Sequence, residues 1–192
     1  MLSVGLALGS NTAFIPWILS GVSLLVSVWV AWVTLFRRGT LHMTQPVQVR
    51  FVYEHDTNAN SKIFLRTLLY ATGKRGYVIE GLYLKVKNSD STQTFKFWGY
   101  DDPSAASVAG GLRITEEGAD YSHHFLNINE SSSFPEGNYE IAIYARAVNR
   151  KVPILLTTIA LTLTEQESTE LYMKRSGTFT WNPDSKAYQL SL

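Results

Sequence analysis

Gly137-Asn138-Tyr139-Glu140-Ile141-Ala142-Ile143-Tyr144 carries the clearest periodicity in the chain. Tyr139, Ile141 and Ile143 alternate with Glu140, Ala142 and Tyr144, so one face is apolar and the other mixed. A period of two is the mark of a strand that lays one face on a core. The approach through Gly137 and Asn138 has the form of a tyrosine corner, in which a buried Tyr hydroxyl bonds to backbone a few residues upstream.

The same alternation recurs on both sides of this stretch. Val47, Val49, Phe51 and Tyr53 alternate with polar residues, as do Leu82, Leu84 and Val86, and then Ile159, Leu161 and Leu163. Phe95–Tyr100, the stretch around His123–Ile128, and Thr178–Trp181 with Tyr188–Leu190 add further strands. Asn182-Pro183-Asp184-Ser185 joins the last pair as a hairpin turn with Pro at a favoured position. Lys62–Thr72 fits both periods and is read as a strand. Thr164-Glu165-Gln166-Glu167 is a capping-box pattern, so a short helix is expected to about Lys174, with Gly177 as its stop.

Eight or nine short strands predict a mainly β chain folded as an antiparallel Ig-like β-sandwich, with a partly closed β-barrel as the alternative. Immunoglobulin domains place a Cys two residues after the corner Tyr; here that place holds Ile141 and the chain has no Cys. The absence of Cys also removes disulfide scaffolds, thiolate metal sites and cysteine nucleophiles. A formal net charge of +1 over 192 residues argues against a partner that is a nucleic-acid polymer, which calls for a clearly basic chain.

The first 36 residues differ from the rest. No ionisable side chain occurs from Ala13 to Phe36. As a helix this segment is about 36 Å long, enough to cross a hydrocarbon core of roughly 30 Å. Thr12 is placed to cap it, Pro16 falls in its first turn, and Trp17, Trp32 and Phe36 lie near its ends as interfacial anchors do. A cleaved signal peptide would need a basic leader, a shorter apolar core and an A-x-A-like site, and the sequence offers none of these. The organisation expected is residues 1–12 as a short extracytoplasmic N-terminus, 13–36 as a transmembrane helix, 37–46 as a basic juxtamembrane connector and 47–192 as a cytosolic β-domain. Arg37 and Arg38 set the orientation by the positive-inside rule, with membrane lipid as the first partner.

Within the helix, Ser20, Ser23, Ser27, Ala31 and Thr34 fall within an arc of roughly 80°, opposite Trp29 and Trp32. Small residues in one stripe let helices approach closely, so this reads as a face for a homo-oligomer or a protein partner; the plain alternative is tolerance of Ser in a single-pass anchor.

Arg37-Arg38-Gly39, Met43-Thr44-Gln45-Pro46, Phe64-Leu65-Arg66-Thr67-Leu68-Leu69, Lys74-Arg75-Gly76 and His123-His124-Phe125, in that order, give a pattern that resembles an uncharacterised family of small bacterial proteins with one N-terminal membrane helix and a β-rich remainder. The resemblance implies a bacterial inner membrane and carries over no catalytic residue and no cofactor.

Several smaller constellations bear on chemistry. His123 and His124 are adjacent on a strand, so they point to opposite faces and do not share an ion; one is expected packed and the other exposed. Asp56-Thr57-Asn58-Ala59-Asn60 imitates a calcium loop, but Ser61 replaces its Gly and Thr67 its bidentate Glu, which leaves a polar turn. Asp101, Asp102, Glu116, Glu117 and Asp120 read as polar loops; as an acid/base cluster with the two His they would make a membrane-bound hydrolase, the weakest reading. Gly73-Lys74-Arg75-Gly76 is a basic turn whose tip is a candidate anion site at Lys74 and Arg75, for a lipid phosphate or a nucleotide messenger; otherwise it is a charged hairpin tip. The function expected is a non-enzymatic, membrane-anchored interaction or assembly module, with a ligand-controlled oligomerising membrane effector as the alternative.

Overall fold

The structure is a computed structural model that describes residues 14–36, 39–53, 61–89, 91–100, 111–127, 133–148 and 150–192. It divides into two compact units, Met1–Arg38 and Gly39–Leu192. Thr12, Arg37, Arg38, His55, the Asp56–Asn60 turn, Asp101 and Asp102 lie outside the described residues.

In the first unit, α1 (Phe14–Ala31) continues into a π-helical turn, Trp32–Phe36, giving one helix of 23 residues that is long and apolar enough to span a membrane. None of its residues is buried. Ser27 Oγ donates to the Ser23 carbonyl at 2.8 Å and Thr34 Oγ1 to the Val30 carbonyl at 2.7 Å, so these hydroxyls are satisfied within their own helix.

The second unit is mainly β. Its strands are β1 (Leu41–Met43), β2 (Gln48–Tyr53), β3 (Ser61–Ala71), β4 (Tyr77–Lys87), β5 (Thr92–Tyr100), β6 (Leu112–Ile114), β7 (Ala119–Asn127), β8 (Gly137–Ala147), β9 (Ile154–Leu163), β10 (Ser176–Asn182) and β11 (Ala187–Ser191), with α2 (Glu165–Lys174) between β9 and β10. All pairings are antiparallel, in the order β11-β10-β2-β3-β7-β5-β4-β8-β9. The short β1 continues the line of β2 along the edge of β3, and β6 continues the line of β5 along β4. The last strand, β9, comes round against β1. One sheet thus curls into a nearly closed barrel, where the sequence alone favoured two Ig-like sheets. Alternation settles which face of each strand is buried; it carries no information on whether the faces belong to one sheet or two.

Inward-facing Val49, Phe51, Ile63, Leu65, Leu84, Phe95, Ile141, Ile143 and Ile159 are buried and fill the interior. The Lys62–Thr72 segment is a strand whose odd-numbered residues face in. Val47 precedes β2 and remains exposed. Leu41–Met43, written above as connector, pairs with Met43 opposite Leu69, and Leu41 and Met43 are buried. Gly76 closes the β3–β4 turn at φ +64°, where a Cβ would lie 2.2 Å from the Ile114 carbonyl oxygen, so the turn needs glycine.

The corner tyrosine is in place: Tyr139 is buried, and its hydroxyl donates to the Pro135 carbonyl. Burial pushes its phenol well above the ordinary value. The capping box closes as expected, with Glu167 N–H donating to Thr164 Oγ1 and Thr164 N–H to Glu167 Oε2 at 2.9 Å. The stop differs. Arg175, at φ 63°, ends α2, and Gly177 already belongs to β10, where a Cβ would press on the methyl ends of Leu171, Leu190 and Leu192.

Phe134, between β7 and β8, is a core residue that strand periodicity does not reveal. Its ring stacks on Phe51 at 4.3 Å and meets Tyr53 edge-on at 5.3 Å. Its N–H donates to Tyr53 Oη and its carbonyl accepts from Ser168 Oγ, both at 2.8 Å. A non-strand residue thereby caps one end of the interior with its backbone satisfied.

Candidate binding cleft and basic turn

β4 changes partners part-way along one edge. Tyr77–Ile79 pair with β6 and Tyr83–Lys87 with β5, while on the other edge the register with β8 shifts between Ile79 and Gly81. Glu80, Gly81 and Leu82 sit at this handover. The result is a cleft of about 490 Å³ lined by Glu80, Leu82, Tyr83, Lys96, Phe97 and Arg146, with Gly81 and Thr94. A Cβ on Gly81 would meet nothing within 4 Å, so this position borders the open space.

Leu82 and Phe97 supply an apolar floor, and the exposed Lys96 and Arg146 supply cations with Glu80 as counter-charge. Among the described residues, neither Lys96 nor Arg146 has an ion-pair partner. Tyr83 stacks on Tyr144 at 5.1 Å and 10°, with Lys85 Nζ 5.5 Å from the Tyr144 ring centre. Cations around an apolar floor suit a small organic anion with a flat apolar part. A smaller cleft, about 380 Å³, lies at the matching handover on β3, between β1 and β2, with Arg66 and Asp120 in its wall.

Lys74 and Arg75 form the exposed tip of the β3–β4 turn. They are convex to solvent and do not line the cleft, so the structure leaves them apart from Lys96 and Arg146. Glu116 and Glu117 form another exposed turn, and Asp120 lies on the outer side of β7.

His123 and His124 point to opposite faces of β7, as adjacency on a strand requires. His123 lies inside the barrel, paired in register with Leu65 and 6.2 Å from the Phe97 ring. His124 is on the outer face, yet it is also buried, because Phe64 covers it edge-on at 4.3 Å. The expectation of one exposed His is therefore corrected: a neighbouring strand supplies a large side chain that adjacency in sequence does not show. Among the described residues no three His, Asp or Glu side chains come together in a group that could hold an ion.

The cleft residues Glu80, Gly81, Lys96 and Arg146 were not foreseen. The available signal was Gly81 itself, since an isolated Gly within a strand pattern marks a bulge or an opening. No family model, curated protein or solved structure matches this chain.

Proposed function

We propose that the chain is a non-enzymatic interaction and assembly module anchored by one helix in a bacterial inner membrane, with its β-domain in the cytoplasm. The observation that carries this reading is the fully exposed 23-residue apolar helix, which reaches a packed β-unit after only two residues. Arg37 and Arg38 set the orientation, and the small face of Ser20, Ser23, Ser27, Ala31 and Thr34 allows close helix approach. The self-bonded hydroxyls of Ser27 and Thr34 assign that role to their small volume.

The test is topological. A reporter fused after Leu192 is expected to be active in its cytosolic form; alkaline phosphatase activity at that position overturns the orientation. In-membrane crosslinking of the triple variant Ser20→Leu/Ser27→Leu/Thr34→Leu tests assembly: loss relative to Val22→Ile/Leu25→Ile supports the small face, and equal crosslinking removes it.

The cleft favours a second reading, control of assembly by a small organic anion. Phenyl phosphate is then expected to raise the melting temperature of the full chain in detergent, and Lys96→Gln/Arg146→Gln to abolish the rise. An unchanged melting temperature in both removes this reading.

A further inference from the structure

We propose that the pole of the β-domain next to the tether docks on anionic lipid headgroups, with Lys74, Arg75, Arg150 and Lys151 toward the phosphates and Val152 in the interface. The inference rests on the membrane anchoring proposed above and adds how the domain is held. Its first support is covalent. Phe36 ends the apolar helix, and Gly39 is already fastened to the barrel: Tyr77 Oη donates to the Gly39 carbonyl at 2.6 Å and Thr40 N–H to Thr72 Oγ1 at 2.7 Å. Three Cα steps separate Phe36 from Gly39, which bounds their distance at about 11 Å. Whatever angle the domain adopts, Gly39 stays within that distance of the end of the apolar segment, little more than a Debye length of about 8 Å at physiological salt.

The second support is what shares the pole. Tyr77, which holds the tether, also receives Arg150: the guanidinium donates to its hydroxyl at 3.5 Å and lies 5.8 Å from its ring centre. Lys74 and Arg75 on the β3–β4 turn and Lys151 on the β8–β9 turn are exposed beside it. Val152 follows at 75% exposure, an apolar tip next to cations. Among the described turn residues at this end, Glu116 and Glu117 on the neighbouring turn oppose these four basic groups, and the β10–β11 turn adds one charge of each sign, Asp184 and Lys186. At the far pole, among the described residues, Glu136, Glu165, Glu167 and Glu170 stand with Lys62, Lys87, Lys174 and Arg175, so no cationic excess faces that way. Eleven residues of β3, about 35 Å of strand, separate the poles, so the far one is screened from the surface that the near one meets. A cationic rim with an apolar tip, tethered by about 11 Å, complements an anionic bilayer at a permanently high local concentration.

The chain contains no Cys, so single reporters can be placed in the full-length protein. Val152→Cys and, at the far pole, the exposed Ser89→Cys would each carry a polarity-sensitive fluorophore. The chain is reconstituted in nanodiscs of phosphatidylcholine or of an equal phosphatidylcholine–phosphatidylglycerol mixture. In the anionic discs the label at 152 is expected to shift to the blue and to be quenched by spin-labelled lipid, with high salt reversing both effects. The label at 89 is expected to do neither. Adding Lys74→Gln/Arg75→Gln/Lys151→Gln, which leaves Arg150 on Tyr77, is expected to lower the docked-to-free ratio on the order of a hundredfold, about fivefold per cation. Solvent-like fluorescence at 152 in both discs, or equal quenching at 152 and 89, overturns the docking. A chain that does not enter the discs at all overturns the anchoring reading and the docking with it.

Discussion

Phe134→Ala is the most incisive perturbation of the β-domain. The ring is 2% exposed and touches the aromatic faces of Phe51 and Tyr53, so its removal leaves a cavity that neighbouring strands cannot close. Phe-to-Ala changes in cores cost about 3–5 kcal/mol, and the stacked contact with Phe51 places this site in the upper half of that range. Phe134→Leu keeps most of the volume and forgoes the stacking, so about 1–2 kcal/mol is expected. Tyr53→Phe removes the acceptor of the buried Phe134 N–H and should cost about 1–3 kcal/mol. The two sites touch, so the double variant Tyr53→Phe/Phe134→Ala is expected to cost less than the sum of the singles. Urea titration of the full chain in mild detergent, followed by the strand signal in far-UV circular dichroism, reads each value. A loss below about 1 kcal/mol for Phe134→Ala would show that the ring does not cap the interior, and strict additivity would show that Tyr53 does not hold it.

Tyr139→Phe should cost about 1–2 kcal/mol, since it leaves the Pro135 carbonyl without its donor, and Tyr139→Ala about 3–5 kcal/mol; equal small effects in the same titration would mean an exposed Tyr. Thr164→Ala opens the capping box and should cost about 1 kcal/mol, with faster amide exchange confined to the first turn of α2. Burial raises the phenols of Tyr53 and Tyr139, and that of Tyr188 to about 12, above the unfolded value of about 10. The folded state therefore keeps protons that the unfolded state loses. Their contribution to stability is full below about pH 10 and falls as pH rises from there through about 12, and the phenolate absorbance of these three tyrosines is expected to appear together with unfolding. Ionisation of Tyr53, Tyr139 and Tyr188 near pH 10 with the fold intact, read by difference against their Phe variants, would refute this.

Legibility followed the range of the forces involved. The stretch from Gly137 to Tyr144 announced a strand and its corner because the buried face, the turn and the Tyr hydroxyl's acceptor all lie within a few residues. The capping box at Thr164 was legible for the same reason, its bonds spanning three residues. Lys62–Thr72 fitted two periods, and pairing with β2 and β7 on its two edges decided between them. Gly177 was misread because glycine serves both to end helices and to admit neighbours, and only the packing of Leu171 and Leu192 tells which. The basic turn was visible as charge, but its place beside the tether follows from the bonds of Tyr77 and Thr72 to Gly39 and Thr40.

From the sequence alone came the apolar helix, the strand-rich class, the buried face of most strands, the corner and the cap. Each of these reflects an apolar run, a periodicity or a hydrogen bond contained in a short segment. Tertiary structure decided whether the sheet splits or curls, since β9 reaches β1 across more than a hundred residues of intervening chain. It also decided that Phe134 fills one end of the interior, that Phe64 covers His124, and that Lys96 and Arg146 face one cleft across the gap at Gly81. These depend on which distant strands become neighbours, and that choice is made by the collective packing of side chains over the whole barrel, which no single segment encodes.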